Sequence, residues 1–184
     1  MNTNISERTE AKLRHIVESA NIHPGDSVLD AGTGTGTLLP YLAEAVGRFG
    51  AIDAADISGD MLSQAHTHHA RLPLPVRFFL IDIENDTVHT LYDRIILLDM
   101  LPHLSRPLET IIKLFHKNLA GGGSVTLAMS AGRDMINTLH AGNATPAHIL
   151  PPAAELASRL TDAGLKVDYV EDTPDSYIVR VRRH

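Results

Sequence analysis

Residues 27–38, SVLDAGTGTGTL, constrain this chain more than any other stretch, because they compress the end of a strand, a glycine-rich turn and the start of a helix into twelve positions. Val28 and Leu29 form a short apolar run suited to a parallel strand buried on both faces, and Asp30 sets a carboxylate at its C-terminal end. Gly32, Gly34 and Gly36 follow at alternate positions, and without a Cβ they admit positive φ and let a ligand approach the backbone. Leu38, Leu39 and Leu42 restart the apolar pattern at helical spacing, with Pro40 tolerable in a first helical turn. Such a unit belongs to open α/β sheets, whose ligands bind in the crevice beyond the carboxyl ends of the strands.

The nicotinamide dinucleotide fingerprint reads G-x-G-x-x-G, and here the third glycine comes one residue early. A pyrophosphate favours helix N–H groups with a positive charge nearby, yet no Lys or Arg lies between Gly25 and Gly47, and Asp30 is an acid. A cationic ligand suits that acid better. The D-A-G-T-G-T-G run with its preceding strand resembles the first motif of class I S-adenosylmethionine-dependent methyltransferases. A dinucleotide-binding Rossmann dehydrogenase and a ligand-free glycine turn are the alternatives at this loop.

A length of 184 residues favours one domain over 1–184, able to bury about 70 per cent of its unfolded surface without a staple. The first twenty residues hold no signal-like apolar core and no 18-residue apolar run occurs, so neither a secretory signal nor a membrane span is expected, and a cytoplasmic location follows. With no cysteine there is no disulfide, thiolate metal site or cysteine nucleophile. A formal charge of -6, no Trp and 4% aromatic residues speak against a nucleic-acid surface, which needs basic stripes and stacking rings. The expected partners are a small-molecule substrate and at most a second copy of the chain, with no nucleic acid and no membrane.

In chain order, Asn4 with Glu7 reads as a capping box for a first helix whose apolar side carries Leu13, Ile16 and Val17, and His23-Pro24-Gly25-Asp26 turns the chain into the first strand. The helix after the glycine loop is expected to end at a left-handed Gly47. Residues 51–57, AIDAADI, read as the second strand. Asp56 stands twenty residues after Gly36, the interval at which nucleotide-binding α/β folds place a carboxylate on ribose hydroxyls, with Asp53 a rival inside the strand and Ser58 a helix cap. His66, His68 and His69 lack a third partner at metal-ligand spacing and read as a solvated helix face, so no metal site is expected.

The third strand is expected at 76–83, ending in Asp82, and the fourth at 93–100, whose DRIILLDM run is apolar enough to be covered on both faces. The helix after Arg106-Pro107 is expected to carry Leu108, Ile111, Ile112, Leu114, Phe115 and Leu119 on its core face, before a glycine stop and a strand at 124–129. Residues 131–152 read as an insertion, which the methyltransferase resemblance implies is a substrate-cap segment. If 133–141 is helical, Arg133, Asn137 and His140 lie within about 60° of one another, opposite Met135 and Leu139. A last helix at 155–163 precedes strands at 165–170 and 176–181, whose short connection forces antiparallel pairing. Arg180, Arg182, Arg183 and His184 read as a solvated edge.

That terminal pair, absent from a dinucleotide Rossmann domain, extends the methyltransferase resemblance over residues 10–183. It implies a doubly wound, mostly parallel seven-stranded α/β sheet closed by a C-terminal antiparallel hairpin. It also implies S-adenosylmethionine as cofactor, with S-adenosylhomocysteine as product, held by Asp30, Gly32, Thr33, Gly34 and Gly36, by Asp56, Ile57 and Met61, and by Asp82, Ile83 and Asp99. The sequence from Asp99 to Leu104 resembles the fourth motif in its small-molecule form and lacks the N/D-P-P-Y tetrad of base and glutamine methylation. His103 is then a candidate general base, since an imidazole takes up a proton near neutral pH, with packing at the next helix as the alternative. Arg133, Asn137 and His140 are the candidate substrate contacts, for a carboxylate or phosphate through Arg133, with a solvated helix face as the alternative.

Overall fold

The structure is a computed structural model that describes residues 2–141 and 149–184, the side chains of 2–6 excepted. Its strands are β1 (Ser27–Ala31), β2 (Ala51–Asp56), β3 (Val76–Leu80), β4 (Tyr92–Leu98), β5 (Leu119–Met129), β6 (Lys166–Asp172) and β7 (Tyr177–Arg182). Its helices are α1 (Asn2–Ser19), α2 (Leu39–Val46), α3 (Gly59–His68), α4 (Pro107–Lys117), α5 (Arg133–His140) and α6 (Ala153–Asp162). The sheet order is β3-β2-β1-β4-β5-β7-β6. β7 pairs antiparallel with both β5 and β6, so it alone runs against the other strands.

Alternation along the strands explains the layers. Ile95 and Leu97 of β4 pack with Ile111 and Leu114 of α4 and with Leu156 and Leu160 of α6. Ile96, between them in sequence, points the other way, joining Leu13 of α1 and Leu39 and Leu42 of α2. β4 is thus covered on both faces, as its unbroken apolar run requires. The order reverses between β1 and β4, and the loops at their C-terminal ends part there to leave a crevice.

Several boundaries differ from the sequence expectation. α1 begins at Asn2, so Asn4 lies inside the helix rather than at its cap, and its side chain is outside the described residues. Gly47 does stop α2 with φ 62°, but its ψ of -173° is extended rather than left-handed helical. Leu119 sits in β5, opposite Tyr92, with the register shift between Tyr92 and Arg94 absorbing the glycines that were expected to separate helix from strand. The C-terminal arginines are not all solvated: Arg180 forks onto Asp168 at 2.9 and 3.1 Å and reaches the Ser19 carbonyl, and Arg183 donates to Leu119 O at 2.7 Å. Among the described residues no helix is long and apolar enough to cross a membrane.

Candidate functional site

The glycine loop is held from β2. Gly32 and Thr33 donate their N–H groups to the Ala55 carbonyl at 2.8 and 2.9 Å, and Gly34 donates to Asp56 Oδ2 at 2.8 Å. The other oxygen of Asp56 accepts from Ser58 N at 2.9 Å, while the Ser58 hydroxyl caps α3 by accepting from Met61 N. Each oxygen of Asp56 therefore binds one backbone N–H and keeps acceptor capacity for a ligand. Asp53, its rival, is buried within β2 away from the loop and engaged by Arg77 through both oxygens and by the Tyr92 hydroxyl, at 2.7 Å each.

The three glycines have positive φ, at 79°, 56° and 84°, yet they serve different ends. A Cβ at Gly32 would lie 2.0 Å from Met100 Sδ, and one at Gly36 2.6 Å from His69 Cδ2, so these two make room for the protein's own side chains. A Cβ at Gly34 would meet nothing within 4 Å; only there does the missing side chain leave open space. His69 is accordingly not part of a free solvated face, and burial against this loop lowers its pKa despite a hydrogen bond with the Thr35 backbone.

That open space belongs to a cleft of about 500 Å³ at the ends of β1, β2 and β4. Gly32, Gly34, Asp56, Ile57 and Met61 form one wall, Asp82, Ile83 and Glu84 a second, and Asp99, Met100 and His103 a third. Asp30, Thr33 and Gly36 are not brought to it. Asp30 is only 2% exposed, accepts the Thr33 hydroxyl at 2.7 Å, and is pushed up to about 6 by desolvation, against the Thr33 hydrogen bond and with a smaller push from Asp56. These residues brace the loop from behind.

The second wall is a loop tied into its own turn. Asp82 accepts from Glu84 N and Asn85 Nδ2 at 2.9 and 2.7 Å, and the Asn85 side-chain bond above all keeps its pKa below the usual carboxylate range. Lys113 of α4 donates to the carbonyls of Ile83, Glu84 and Asp86. Glu84, which sequence reading passed over, accepts from Ser105 N and Arg106 N at 3.1 and 2.7 Å and so fastens this loop to the turn after His103. No local sequence pattern pairs Glu84 with these two N–H groups, which lie just before α4 and not in its first turn.

On the third wall Asp99 has φ 54°, a left-handed conformation that Asp tolerates, and its Oδ1 accepts from Ser130 N at 2.7 Å. His103 ends a 3-10 turn, Leu101–His103, exposed at the cleft mouth, with its ring 5.4 Å from that of His140 at the end of α5. Of the expected substrate stripe, only His140 meets His103. Arg133 is engaged by Asp172 at 3.2 Å, the same oxygen that accepts from Ala153 N, and Asn137 exchanges two bonds with the Leu150 backbone at 2.8 and 3.1 Å. Both hold α5 in place. Residues 142–148 of the expected cap segment lie outside the described residues.

A family model described as a methyltransferase domain matches residues 28–123. A malonyl-[acyl-carrier protein] O-methyltransferase of Anoxybacillus flavithermus is 30% identical over 105 residues, covering 57% of this chain and 39% of the relative. A ubiquinone/menaquinone biosynthesis C-methyltransferase, UbiE, of Xanthomonas oryzae is 46% identical over 50 residues, 27% of this chain and 20% of the relative. The chain thus spans well under half the length of these curated relatives. A SAM-dependent methyltransferase from Aquifex aeolicus has the same fold, with TM-score 0.75 and 22% identity over 94% of this chain and 89% of its own.

Proposed function

The chain belongs to the methyltransferase-domain family, and from that membership we propose that it transfers a methyl group from S-adenosylmethionine to an O, N or C nucleophile of a small molecule. The observation that carries the cofactor assignment is the charge of the cleft. Asp56, Asp82, Glu84 and Asp99 line it, and no Lys or Arg does among the described residues. A sulfonium with an ammonium is attracted by such a lining, whereas the pyrophosphate of a nicotinamide dinucleotide is repelled.

The residues present fit the group. Gly34 leaves space where a side chain would stand, Asp56 retains acceptor capacity for ribose hydroxyls, Ile57 and Met61 offer apolar surface for a base, and Asp82 with the Ile83 N–H edges that surface. When bound, the cofactor supplies an activated methyl on sulfur, leaving S-adenosylhomocysteine after transfer. The protein's part is mainly positioning, which can supply several kcal/mol without a covalent intermediate. His103 at the cleft mouth takes the proton of a hydroxyl or amine acceptor. A cytoplasmic location and a small-molecule acceptor belong to the same reading.

Isothermal titration with S-adenosylmethionine, S-adenosylhomocysteine, NADH and NADPH tests it. The sulfur ligands are expected to bind and the dinucleotides not; the reverse would overturn the assignment in favour of an oxidoreductase.

A further inference from the structure

Building on methyl transfer at this cleft, we infer that the acceptor is an elongated molecule with an apolar body and its nucleophile at one end. The observation is a groove of about 1100 Å³ between α1 and α5, whose α1 side sets Leu13 among polar residues that include Glu7, Arg8 and Lys12 and whose α5 side is aliphatic, made of Met135, Ile136 and Leu139. α5 is amphipathic, yet it buries only Ile136; Met135 and Leu139 stand 59% and 68% exposed on the groove. Two large aliphatic side chains side by side on an open concave surface mark a ligand groove rather than scattered surface residues. The polar stripe of the same helix is occupied elsewhere, Arg133 by Asp172 and Asn137 by Leu150. Among the described residues it is therefore the apolar side of α5 that remains available to a ligand.

Continuity with the cleft fixes which ligand. Ser130 lies in the groove while its N–H is donated to Asp99 in the cleft, so the two spaces share a wall one hydrogen bond thick. At the end of α5, His140 meets His103 at the cleft mouth. An acceptor lying along the groove would bring one end to His103 and Asp99 at the cleft mouth. The groove is about twice the volume of the cleft, more than a compact polar acceptor needs. Its cations do not specify an anionic body, since Arg8 and Lys12 share Asp175 at 3.1 and 3.2 Å and Glu7 on the same wall balances the remaining charge.

The test uses phenol, 4-propylphenol and 4-hexylphenol as probes, titrated into the wild-type protein with and without S-adenosylhomocysteine. Affinity is expected to rise about three- to fourfold for each methylene buried. In Met135→Glu and Leu139→Glu, both at exposed positions, the dependence on chain length should flatten, with 4-hexylphenol losing about tenfold or more and S-adenosylhomocysteine affinity unchanged. Affinity independent of chain length in the wild type, or a rise that survives in both variants, would overturn the inference. Failure of S-adenosylhomocysteine to bind would instead overturn the methyltransferase reading, while the alkylphenol series still reports on the groove.

Discussion

The β1–β2 wall of the cleft and the α5 side of its mouth are held by opposite means. On the β1–β2 side the backbone is pinned by short bonds at every step: Gly32 and Thr33 to Ala55, Gly34 to Asp56, and Ser58 to Asp56. On the α5 side the backbone is held at the periphery, by Arg133 to Asp172 and Asn137 to Leu150, and the residues facing open space are aliphatic or imidazole. A site that must bind one invariant ligand is served by fixed N–H groups and a fixed carboxylate. A site that takes a variable partner is served by apolar surface, which is non-directional and adapts by sliding. Glu84, on the cleft's second wall, belongs to neither side and fastens its loop to Ser105 and Arg106, just after the turn that carries His103.

The sharpest way to break this contrast is Asp56→Ala. Loss of charge-assisted bonds to the ribose, each worth about 1.5 to 3 kcal/mol, together with release of the Gly34 and Ser58 N–H groups, should weaken S-adenosylhomocysteine by about 10²-fold or more by calorimetry. Unchanged affinity would mean the pinned wall is only structural. Next comes His103→Ala, which should lower turnover by about 10²-fold on any acceptor the wild type methylates, while leaving S-adenosylhomocysteine affinity within about twofold. A matching loss of cofactor affinity would show that the two sides are not separable.

The glycines sharpen the contrast within one loop. Gly32→Ala should lower the melting temperature, because its Cβ displaces Met100 and strains a positive φ, at a cost of about 2 kcal/mol. Gly34→Asn, where φ is 56° and the space is open, should fold almost normally and lose the ligand. Equal melting temperatures for the two variants would contradict their different surroundings.

Asp30 makes a pH prediction of similar or smaller size. Its folded pKa of about 6 lies above the unfolded value of about 3.9, so between those values the folded protein keeps a proton that the unfolded chain has lost. Its contribution to stability therefore falls as pH rises through that window and stays low above it. Asp30→Asn should remove this slope, so that the melting temperature of the variant gains on the wild type between about pH 4 and 6. Parallel profiles would refute the shift. The smallest effect is expected from Arg133→Ala, whose partly exposed pair with Asp172 should cost under about 1 kcal/mol and leave turnover near normal.

By itself the chain determined the local units and their chemistry. Alternation and apolar runs marked strands, the early third glycine and the nearby acid favoured a cationic ligand over a pyrophosphate, and the interval to Asp56 located the carboxylate that meets the loop. These are legible because each depends on residues close in sequence or on a period. Only the tertiary structure decided what each side chain has left to offer. It withdrew Asp30 into the interior beside Thr33, turned Gly32 and Gly36 toward Met100 and His69, and spent Arg133 and Asn137 on holding α5. It also drew Glu84 across 21 and 22 residues of sequence to Ser105 and Arg106. The physical reason is that a polar group's function depends on which partners satisfy it, and those partners come from distant segments that helix and strand periodicity do not encode.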